Sequence, residues 1–175
     1  MPVDTDRTFT PINIAVLTVS DTRGPDEDSS GDLLAQRIAD AGHTLIDRVI
    51  LKDNADVIAA KLGEWIENPA VDAVVSTGGT GLTGRDVTPE ALDRVKTKDI
   101  PGFGELFRWV SFNTIGTSTV QSRACAVLAK TTYIFALPGS NGAVKDGWDN
   151  ILAEQLDSRN RPCNFVELMP RLNEK

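Results

Sequence analysis

The chain has 175 residues, of which 41% are hydrophobic, and its formal net charge is −7. This length allows one substantial hydrophobic core but is short for two domains. The negative charge argues against a general nucleic-acid binder, which needs a basic face to displace counterions from phosphates. No apolar run approaches the roughly eighteen residues that span a bilayer, and the first residues lack a secretory signal. We therefore expect a soluble, cytoplasmic protein without nucleic-acid or membrane partners.

The first half of the chain alternates strand and helix patterns. Residues 12–19 form a nearly continuous apolar, β-branched run, which is typical of a strand buried on both faces. Apolar periods and capping residues predict the elements that follow. In chain order they are a helix capped by Ser29 or Ser30 and ended by Gly42, a strand at 44–51, a helix capped by Asn54 and stopped at Asn68-Pro69, and a strand at 71–77.

The second half predicts further helices and two short strands. Thr88-Pro89 has the form of a helix start, and residues 103–115 and 141–156 have helical apolar faces. Residues 127–137 predict two short strands with a turn at 130–132. Because strands that alternate with helices imply right-handed crossovers, we expect a three-layer α/β/α fold with a mainly parallel sheet.

This pattern divides the chain into an N-terminal extension (1–11), one domain (12–156) and a C-terminal tail (157–175). The tail is polar and interrupted by prolines, so we expect it either to wrap a neighbouring subunit or to stay mobile. An apolar stripe on the helix at 103–115 indicates core packing or a subunit contact. Its members are Phe103, Leu106, Phe107 and Val110.

Four loops follow the carboxyl ends of predicted strands. Ligands of open parallel sheets bind at this edge, near the point where the strand order reverses. We therefore expect the loops to meet in one binding site. They are Ser20-Asp21-Thr22, Lys52-Asp53-Asn54, the segment 77–86, and Pro138-Gly139-Ser140-Asn141-Gly142.

The glycine loop, Gly78-Gly79-Thr80-Gly81, is the strongest of these signals. Gly79, Gly81 and Gly84 satisfy G-x-G-x-x-G, but the next helix begins only near Thr88 and no acidic residue ends the second strand as dinucleotide binding requires. The P-loop spacing also fails, because Arg85-Asp86 replaces the Lys-Ser/Thr pair. Glycines still let several N–H groups converge on one anion, so we predict that this loop binds phosphate.

Asp53 and Asp86 are the candidate metal ligands. Mg²⁺ on nucleotide phosphates takes only one or two protein carboxylates, so two loop aspartates suffice. The alternatives are structural: Asp86 as the cap of the following turn and Asp53 as an ordinary loop residue. Asp21 and Asp28 fit capping and ligand contact equally well.

Five stretches of the sequence together carry a family resemblance. They are Thr77-Gly78-Gly79-Thr80-Gly81, Arg85-Asp86-Val87-Thr88-Pro89-Glu90-Ala91, Pro101-Gly102-Phe103-Gly104-Glu105, Ser20-Asp21-Thr22-Arg23 and Asp28-Ser29-Ser30-Gly31. With these stretches the sequence resembles the MoaB/MogA family of molybdenum cofactor biosynthesis. The similarity runs from about residue 12 to residue 156 and implies that this part is a molybdopterin-binding domain. Within the family, residues 116–124 and 137–143 look more like MoaB than MogA.

The resemblance implies the adenylylation of molybdopterin, whose terminal phosphate attacks the α-phosphate of Mg-ATP and releases pyrophosphate. It places the essential aspartates at Asp53 and Asp86, and homotrimers or hexamers are the assemblies it implies. One departure concerns the pterin contacts, since Ser140-Asn141 follows Pro138-Gly139 where MogA-like domains have Pro-Gly-x-Pro. The substrate-binding residues that it implies are Ser20, Asp21, Ser30, Thr77, Gly78, Gly79, Thr80, Gly81, Pro138, Gly139 and Ser140.

Two other functions compete with adenylyl transfer. A catalytically silent molybdopterin-binding or carrier protein would use the same fold and oligomer, and it would bind the pterin without releasing pyrophosphate. A nicotinamide-dependent oxidoreductase would use the G-x-G-x-x-G match, which the missing ribose-binding acid weakens.

Overall fold

A six-stranded sheet forms the centre of the computed structural model, which describes residues 3–174. The strands lie in the order β2-β1-β3-β6-β5-β4, where they are β1 (Asn13–Val19), β2 (Thr44–Leu51), β3 (Ala73–Thr77), β4 (Lys98–Asp99), β5 (Cys125–Ala129) and β6 (Thr132–Leu137). The pairings are parallel except those of β5 with its two neighbours. The predicted mainly parallel sheet is therefore confirmed.

Helices cover both faces of this sheet. They are α1 (Ser29–Asp40), α2 (Ala55–Glu67), α3 (Thr88–Val95), α4 (Pro101–Ile115), α5 (Asn141–Gly147), α6 (Ala153–Gln155) and α7 (Phe165–Leu168). Successive side chains of a strand point to opposite faces. Ile14 and Val16 of β1 accordingly belong to one buried cluster, with α1, α4 and α5, while Ala15 and Leu17 belong to a second, with α2 and α3. This is the predicted three-layer α/β/α fold.

The last long helix has an irregular centre. Helix α5 continues through a π-helical turn, Trp148–Leu152, into α6, so the predicted helix at 141–156 is present but is not regular throughout. Trp148, Ile151 and Leu152 are buried as predicted. In the part of the chain that the structure describes, no helix is long and apolar enough to cross a membrane.

The N-terminal cap of α1 corrects one prediction. Asp28 is the cap, and its Oδ1 accepts a hydrogen bond from the backbone N–H of Gly31 at 3.0 Å. Ser29 and Ser30, which we predicted as caps, are the first residues of the helix itself. Asp28 is fully buried and pairs with Arg48 at 2.6 Å. Of its two possible roles, Asp28 therefore has the structural one.

The terminal segments pack against the same domain. The Phe165 ring of the tail lies 4.7 Å from the Tyr133 ring on β6, and Arg7 of the N-terminal extension forms an ion pair with Glu167 of the tail. Thr10 N–H donates to Ser158 Oγ at 2.8 Å. The described part of the tail thus packs against its own core and the extension.

Candidate functional site

The four predicted loops meet at one edge of the sheet. Strands β1, β3 and β6 end level with one another, with Thr18 opposite Thr77 and Thr77 opposite Leu137. The loops beyond these ends enclose a cleft of about 430 Å³, which we call the loop cleft. It is lined by Val19, Ser20, Asp21, Thr22, Arg23, Asp53, Gly78, Gly79, Thr80, Gly81, Arg85, Asp86, Pro138, Gly139 and Ser140.

Most of the predicted substrate-binding residues line this cleft, but two lie behind its wall. Thr77 is fully buried, and its Oγ1 donates to the Pro138 carbonyl at 3.1 Å. Ser30 is also buried and accepts a hydrogen bond from Arg23 Nη1 at 2.9 Å. Both residues support the loops that carry the cleft instead of lining it.

Backbone geometry at Gly78 and Gly79 leaves no room for side chains. Their φ angles of +104° and +66° lie in the left-handed region that glycine favours. A Cβ on Gly78 would lie 2.1 Å from the Val19 carbonyl oxygen, and a Cβ on Gly79 would lie 2.4 Å from Thr88 Oγ1. That hydroxyl donates to the Gly78 carbonyl at 2.8 Å, which ties the loop to the start of α3.

Arg123 holds the far end of the glycine loop. Its Nε donates to the Gly81 carbonyl and its Nη2 to the Asp86 carbonyl, both at 2.7 Å. The guanidinium also pairs with Glu90 of α3, and the Arg123 backbone N–H donates to the Thr80 carbonyl at 3.0 Å. Sequence reasoning did not place Arg123 in the site, because its partners precede it by more than thirty residues and only the fold brings them together.

Thr80 has the least satisfied polar atom of the loop. The residue is 2% exposed, and its Oγ1 has no hydrogen-bond partner among the described residues. A buried hydroxyl without a partner is costly, and most such groups in native proteins are satisfied by protein, water or ligand. Since Thr80 lines the cleft, this hydroxyl is suited to contact a bound molecule.

Three carboxylates, those of Asp21, Asp53 and Asp86, line the loop cleft. The Asp53 N–H donates to Asp21 Oδ1 at 3.2 Å. Partial burial and the negative charges of Asp21 and Asp86 raise the pKa of Asp53 above its ordinary value. The arrangement therefore concentrates negative charge that a bound cation would relieve.

Asp86 differs from Asp53 in its hydrogen bonds. Partial desolvation raises the pKa of Asp86, but the Thr83 hydroxyl and backbone N–H, at 2.7 and 2.8 Å from Oδ2, outweigh this and lower the pKa overall. The carboxylate thus stays ionised while it stabilises its own turn. Its structural role and a role in metal binding are compatible, because an ionised carboxylate has further lone pairs for a ligand.

The aspartates fit a Mg²⁺ ion that arrives with a nucleotide better than a resident metal. Among the described residues, no group of three His, Cys, Asp or Glu side chains forms a metal cluster. Magnesium held by phosphates and water needs only one or two carboxylates, and the raised pKa of Asp53 marks a position where positive charge is favourable. Asp53 and Asp86 would be the protein ligands of such an ion.

Two arginines in the cleft were not among the predicted site residues. Arg23 Nη2 donates to the Gly139 carbonyl at 2.8 Å and so links the first and last loops. Arg85 Nη1 lies 3.3 Å from Asp21 Oδ2 but is largely exposed, so this ion pair is weak. The position of Arg23 directly after Ser20-Asp21-Thr22 was the one sequence signal that pointed to it.

A second cavity adjoins the loop cleft. It has a volume of about 340 Å³ and a mainly apolar wall surface, and we call it the ring cavity. The two cavities share Thr80, Gly81, Pro138 and Ser140. The other residues of the ring cavity are Phe107, Ser111, Thr114, Ile115, Ser118, Gln121, Ser122, Gly142, Ala143 and Asp146.

The described residues form a three-layer α/β domain with a cleft at the carboxyl edge of its parallel strands. Residues 15–158 match the model of the family described as "Probable molybdopterin binding domain". The chain belongs to this family, which confirms the resemblance in the sequence.

Individual relatives agree with this assignment. The chain is 50% identical over 157 residues to molybdenum cofactor biosynthesis protein B of Escherichia coli K12, covering 90% of this chain and 92% of the relative. A crystal structure of a molybdenum cofactor biosynthesis protein B superposes with a TM-score of 0.86 at 33% identity, over 97% of this chain and 100% of the other. The molybdopterin biosynthesis Mog protein of Mycobacterium ulcerans has a TM-score of 0.78 at 26% identity, over 92% and 99%.

Proposed function

We propose that this protein acts in molybdenum cofactor biosynthesis as a Mg²⁺-dependent nucleotidyltransferase that adenylylates molybdopterin. The observation that carries the proposal is the contact between two unlike cavities at Thr80 and Gly81. One has an anion-binding loop and carboxylates, and the other has an apolar wall. A molecule with a fused ring and a phosphate, such as molybdopterin, has one part suited to each.

The glycine loop supports the phosphate half of this proposal. Backbone N–H groups in a left-handed turn form a concave donor surface for anions. The positive φ angles of Gly78 and Gly79 turn the loop at this point. The Gly78 N–H already donates to the Leu137 carbonyl at 2.9 Å, and the unpartnered Thr80 hydroxyl adds a donor. The local arrangement suits phosphate even though the whole chain is acidic, because the donors act at short range.

The reaction transfers an AMP group between phosphates. An oxygen of the molybdopterin phosphate attacks the α-phosphorus of ATP, the bond from that phosphorus to the bridging oxygen breaks, and pyrophosphate leaves with the electron pair. Such transfers depend on positioning and charge neutralisation. Mg²⁺, when bound, would neutralise the phosphate charge. The chain's own residues bind and orient the reactants. Asp53 and Asp86 would hold the metal ion, and the glycine loop would hold the phosphate.

A catalytically silent carrier is the second candidate function. The two adjoining cavities would hold the ring and the phosphate of a pterin whether or not a nucleotide reacts there. The hypothesis of a nicotinamide-dependent oxidoreductase is less favoured, because a Cβ on Gly84 would meet no described atom within 4 Å. In a dinucleotide site the third glycine of G-x-G-x-x-G allows a helix to pack closely on a strand, and Gly84 lacks this close packing.

We further propose that the chain assembles with copies of itself, as a trimer or hexamer. Helix α4 and the turn after it expose large apolar side chains, among them Trp109 at 70% and Phe112 at 53%. Contiguous exposed apolar surface of this kind usually marks an interaction site. The predicted stripe on α4 is split, since Phe103 and Phe107 are buried in the core while Leu106 is exposed.

Pyrophosphate release tests the proposal directly. The assay contains purified protein, molybdopterin, ATP and Mg²⁺, with the variants Asp53→Ala and Asp86→Asn and the control Asp93→Asn. Asp93 lies on α3, pairs with Lys96 and does not line the cleft. Release that is lost in the two cleft variants and kept in the control supports adenylyl transfer. Pterin binding without release by the unaltered protein supports the carrier instead.

A further inference from the structure

One carboxylate stands in an otherwise uncharged cavity. Among the described residues that line the ring cavity, Asp146 of α5 is the only charged one, and its neighbours in the wall include Phe107 and Ile115. A carboxylate beside apolar side chains needs hydrogen-bond donors to offset its lost hydration. The identity of those donors shows which of its oxygens remains for a ligand.

The donors from α4 reach one oxygen only. Ser111, which is buried, donates its hydroxyl to Asp146 Oδ2 at 2.8 Å. Thr114 Oγ1 lies 3.1 Å from the same Oδ2 and 2.9 Å from the Ser111 carbonyl, so its single proton serves one of the two. The hydrogen bonds that Ser111 and Thr114 offer this carboxylate both end on Oδ2, which leaves the lone pairs of Oδ1 for a ligand. The side chain is thus oriented by α4 and retains an acceptor.

An ionised carboxylate accepts hydrogen bonds and donates none. The 2-amino-4-oxopteridine ring presents two adjacent donors, the 2-amino group and N3–H, which would bind Oδ1 and the remaining lone pair of Oδ2. The corresponding edge of adenine has a donor beside the lone pair of N1, which a carboxylate repels. Asp146 therefore favours a pterin over the base of ATP.

From this arrangement we propose that Asp146 is the specificity residue of the ring cavity and reads the 2-amino edge of a 2-amino-4-oxopteridine. The inference rests on the proposed function, which it deepens by assigning the ring of molybdopterin to one cavity and leaving the loop cleft for the nucleotide. The shared residues Thr80 and Gly81 then lie between ring and phosphates, where the buried Thr80 hydroxyl gains a polar partner.

The test compares two free ring probes, pterin and lumazine, which differ in the 2-amino and 2-oxo groups. Binding of each to the full chain is measured by calorimetry without ATP or Mg²⁺. We expect the unaltered protein to prefer pterin on the order of 10- to 100-fold, the effect of one hydrogen bond to a charged group. Asp146→Asn should reduce or reverse this preference, because the amide N–H₂ donates to the 2-oxo group of lumazine.

Asp149→Asn is the matched control, since Asp149 lies one turn later, pairs with Arg37 and does not line the cavity. It should keep the preference for pterin. Equal binding of both probes by the unaltered protein, no measurable pterin binding, or an undiminished preference in Asp146→Asn would each overturn the inference.

The binding experiment tests the specificity role of Asp146, and the pyrophosphate assay tests adenylyl transfer. Either proposal can therefore be contradicted without the other. Pyrophosphate release together with an Asp146-independent preference would remove the specificity role and leave adenylyl transfer standing. An Asp146-dependent preference without pyrophosphate release would keep the specificity role and point to the carrier.

Discussion

Arg123 Nε donates a hydrogen bond of 2.7 Å to the carbonyl oxygen of Gly81, across 42 residues of sequence. The same guanidinium reaches the Asp86 carbonyl and pairs with Glu90. One planar group therefore sets the distance between the glycine loop and a candidate metal ligand. Arginine can satisfy several acceptors at fixed angles, whereas lysine is a flexible point charge.

We predict that Arg123→Lys lowers the rate of pyrophosphate release by about 10- to 100-fold, because misplaced reacting groups lose that much. The ion pair with Glu90 can persist in this variant, so the folded state should remain. The control is Arg108→Lys, whose guanidinium donates to the Ala124 carbonyl at 3.1 Å and not to the loop. Equal rates in the two variants would show that the Arg123 guanidinium does not position the glycine loop and Asp86 for the reaction.

A second prediction concerns the stability of variants in the glycine loop. Gly78→Ala should lower the free energy of unfolding by at least about 2 kcal/mol, because its φ is positive and the new Cβ would clash with the Val19 backbone. Gly84→Ala, where a Cβ meets no described atom within 4 Å, should change it by less than about 0.5 kcal/mol. Urea denaturation measures both, and a Gly84→Ala variant as unstable as Gly78→Ala would refute the steric argument.

Asp86→Asn should abolish or strongly reduce pyrophosphate release while the fold stays intact. The change removes the charge but little volume, and the amide oxygen can still accept from Thr83. Comparison of rates over a Mg²⁺ titration, with circular dichroism as the folding control, checks this. Unchanged turnover would contradict the assignment of Asp86 as a metal ligand.

Much of the fold could be predicted from local pattern. The apolar runs of β1 and β3 mark buried parallel strands, and Asn54 is the cap of α2 because its side chain accepts from the N–H groups of Asp56 and Val57. Thr88-Pro89 likewise marks the start of α3. These signals act within a few residues, which is why a single sequence contains them.

Features made by distant residues escaped prediction. The sequence left Asp28 open between capping and ligand contact. It is the cap of α1 because Arg48 and Thr18 hold that carboxylate in the core, and neither partner is visible from the local sequence. The two-residue strand β4 is exposed and has no apolar pattern. The ring cavity is lined by Thr80 and by residues of α4 and α5. Its carboxylate, Asp146, lies on α5, a helix for which the sequence predicted only core packing.

The exposed face of α4 gives a prediction about assembly. Trp109→Lys should shift the protein toward smaller species, because it places a charge in the apolar surface proposed to join the subunits. Light scattering at several protein concentrations measures the change. Lys98→Ala, on the exposed strand β4, serves as the surface control. A monomeric unaltered protein would contradict the proposed self-association.

Asp53 gives the last prediction, which concerns stability. Its pKa is raised by partial burial and by the charges of Asp21 and Asp86, so ionised Asp53 is less favourable in the folded state than in the unfolded state. Asp53→Asn should therefore raise the Tm at about pH 7, in the absence of Mg²⁺, by about 1–2 °C. That is the effect of a few tenths of a kcal/mol in a chain of this size.

The sign of the pH dependence follows from the same shift. Stability lost when Asp53 ionises is regained as the pH falls through its raised folded pKa toward the ordinary value of 3.8, so the advantage of Asp53→Asn should shrink on acidification. Mg²⁺ should reverse the order at neutral pH, because a ligand that binds the folded state stabilises it and Asn is the poorer metal ligand. Thermal melts from about pH 7 down to about pH 4, near the ordinary pKa, with and without Mg²⁺, measure both effects. A variant that is less stable than the unaltered protein without Mg²⁺ would show that Asp53 stabilises the fold instead of straining it for binding.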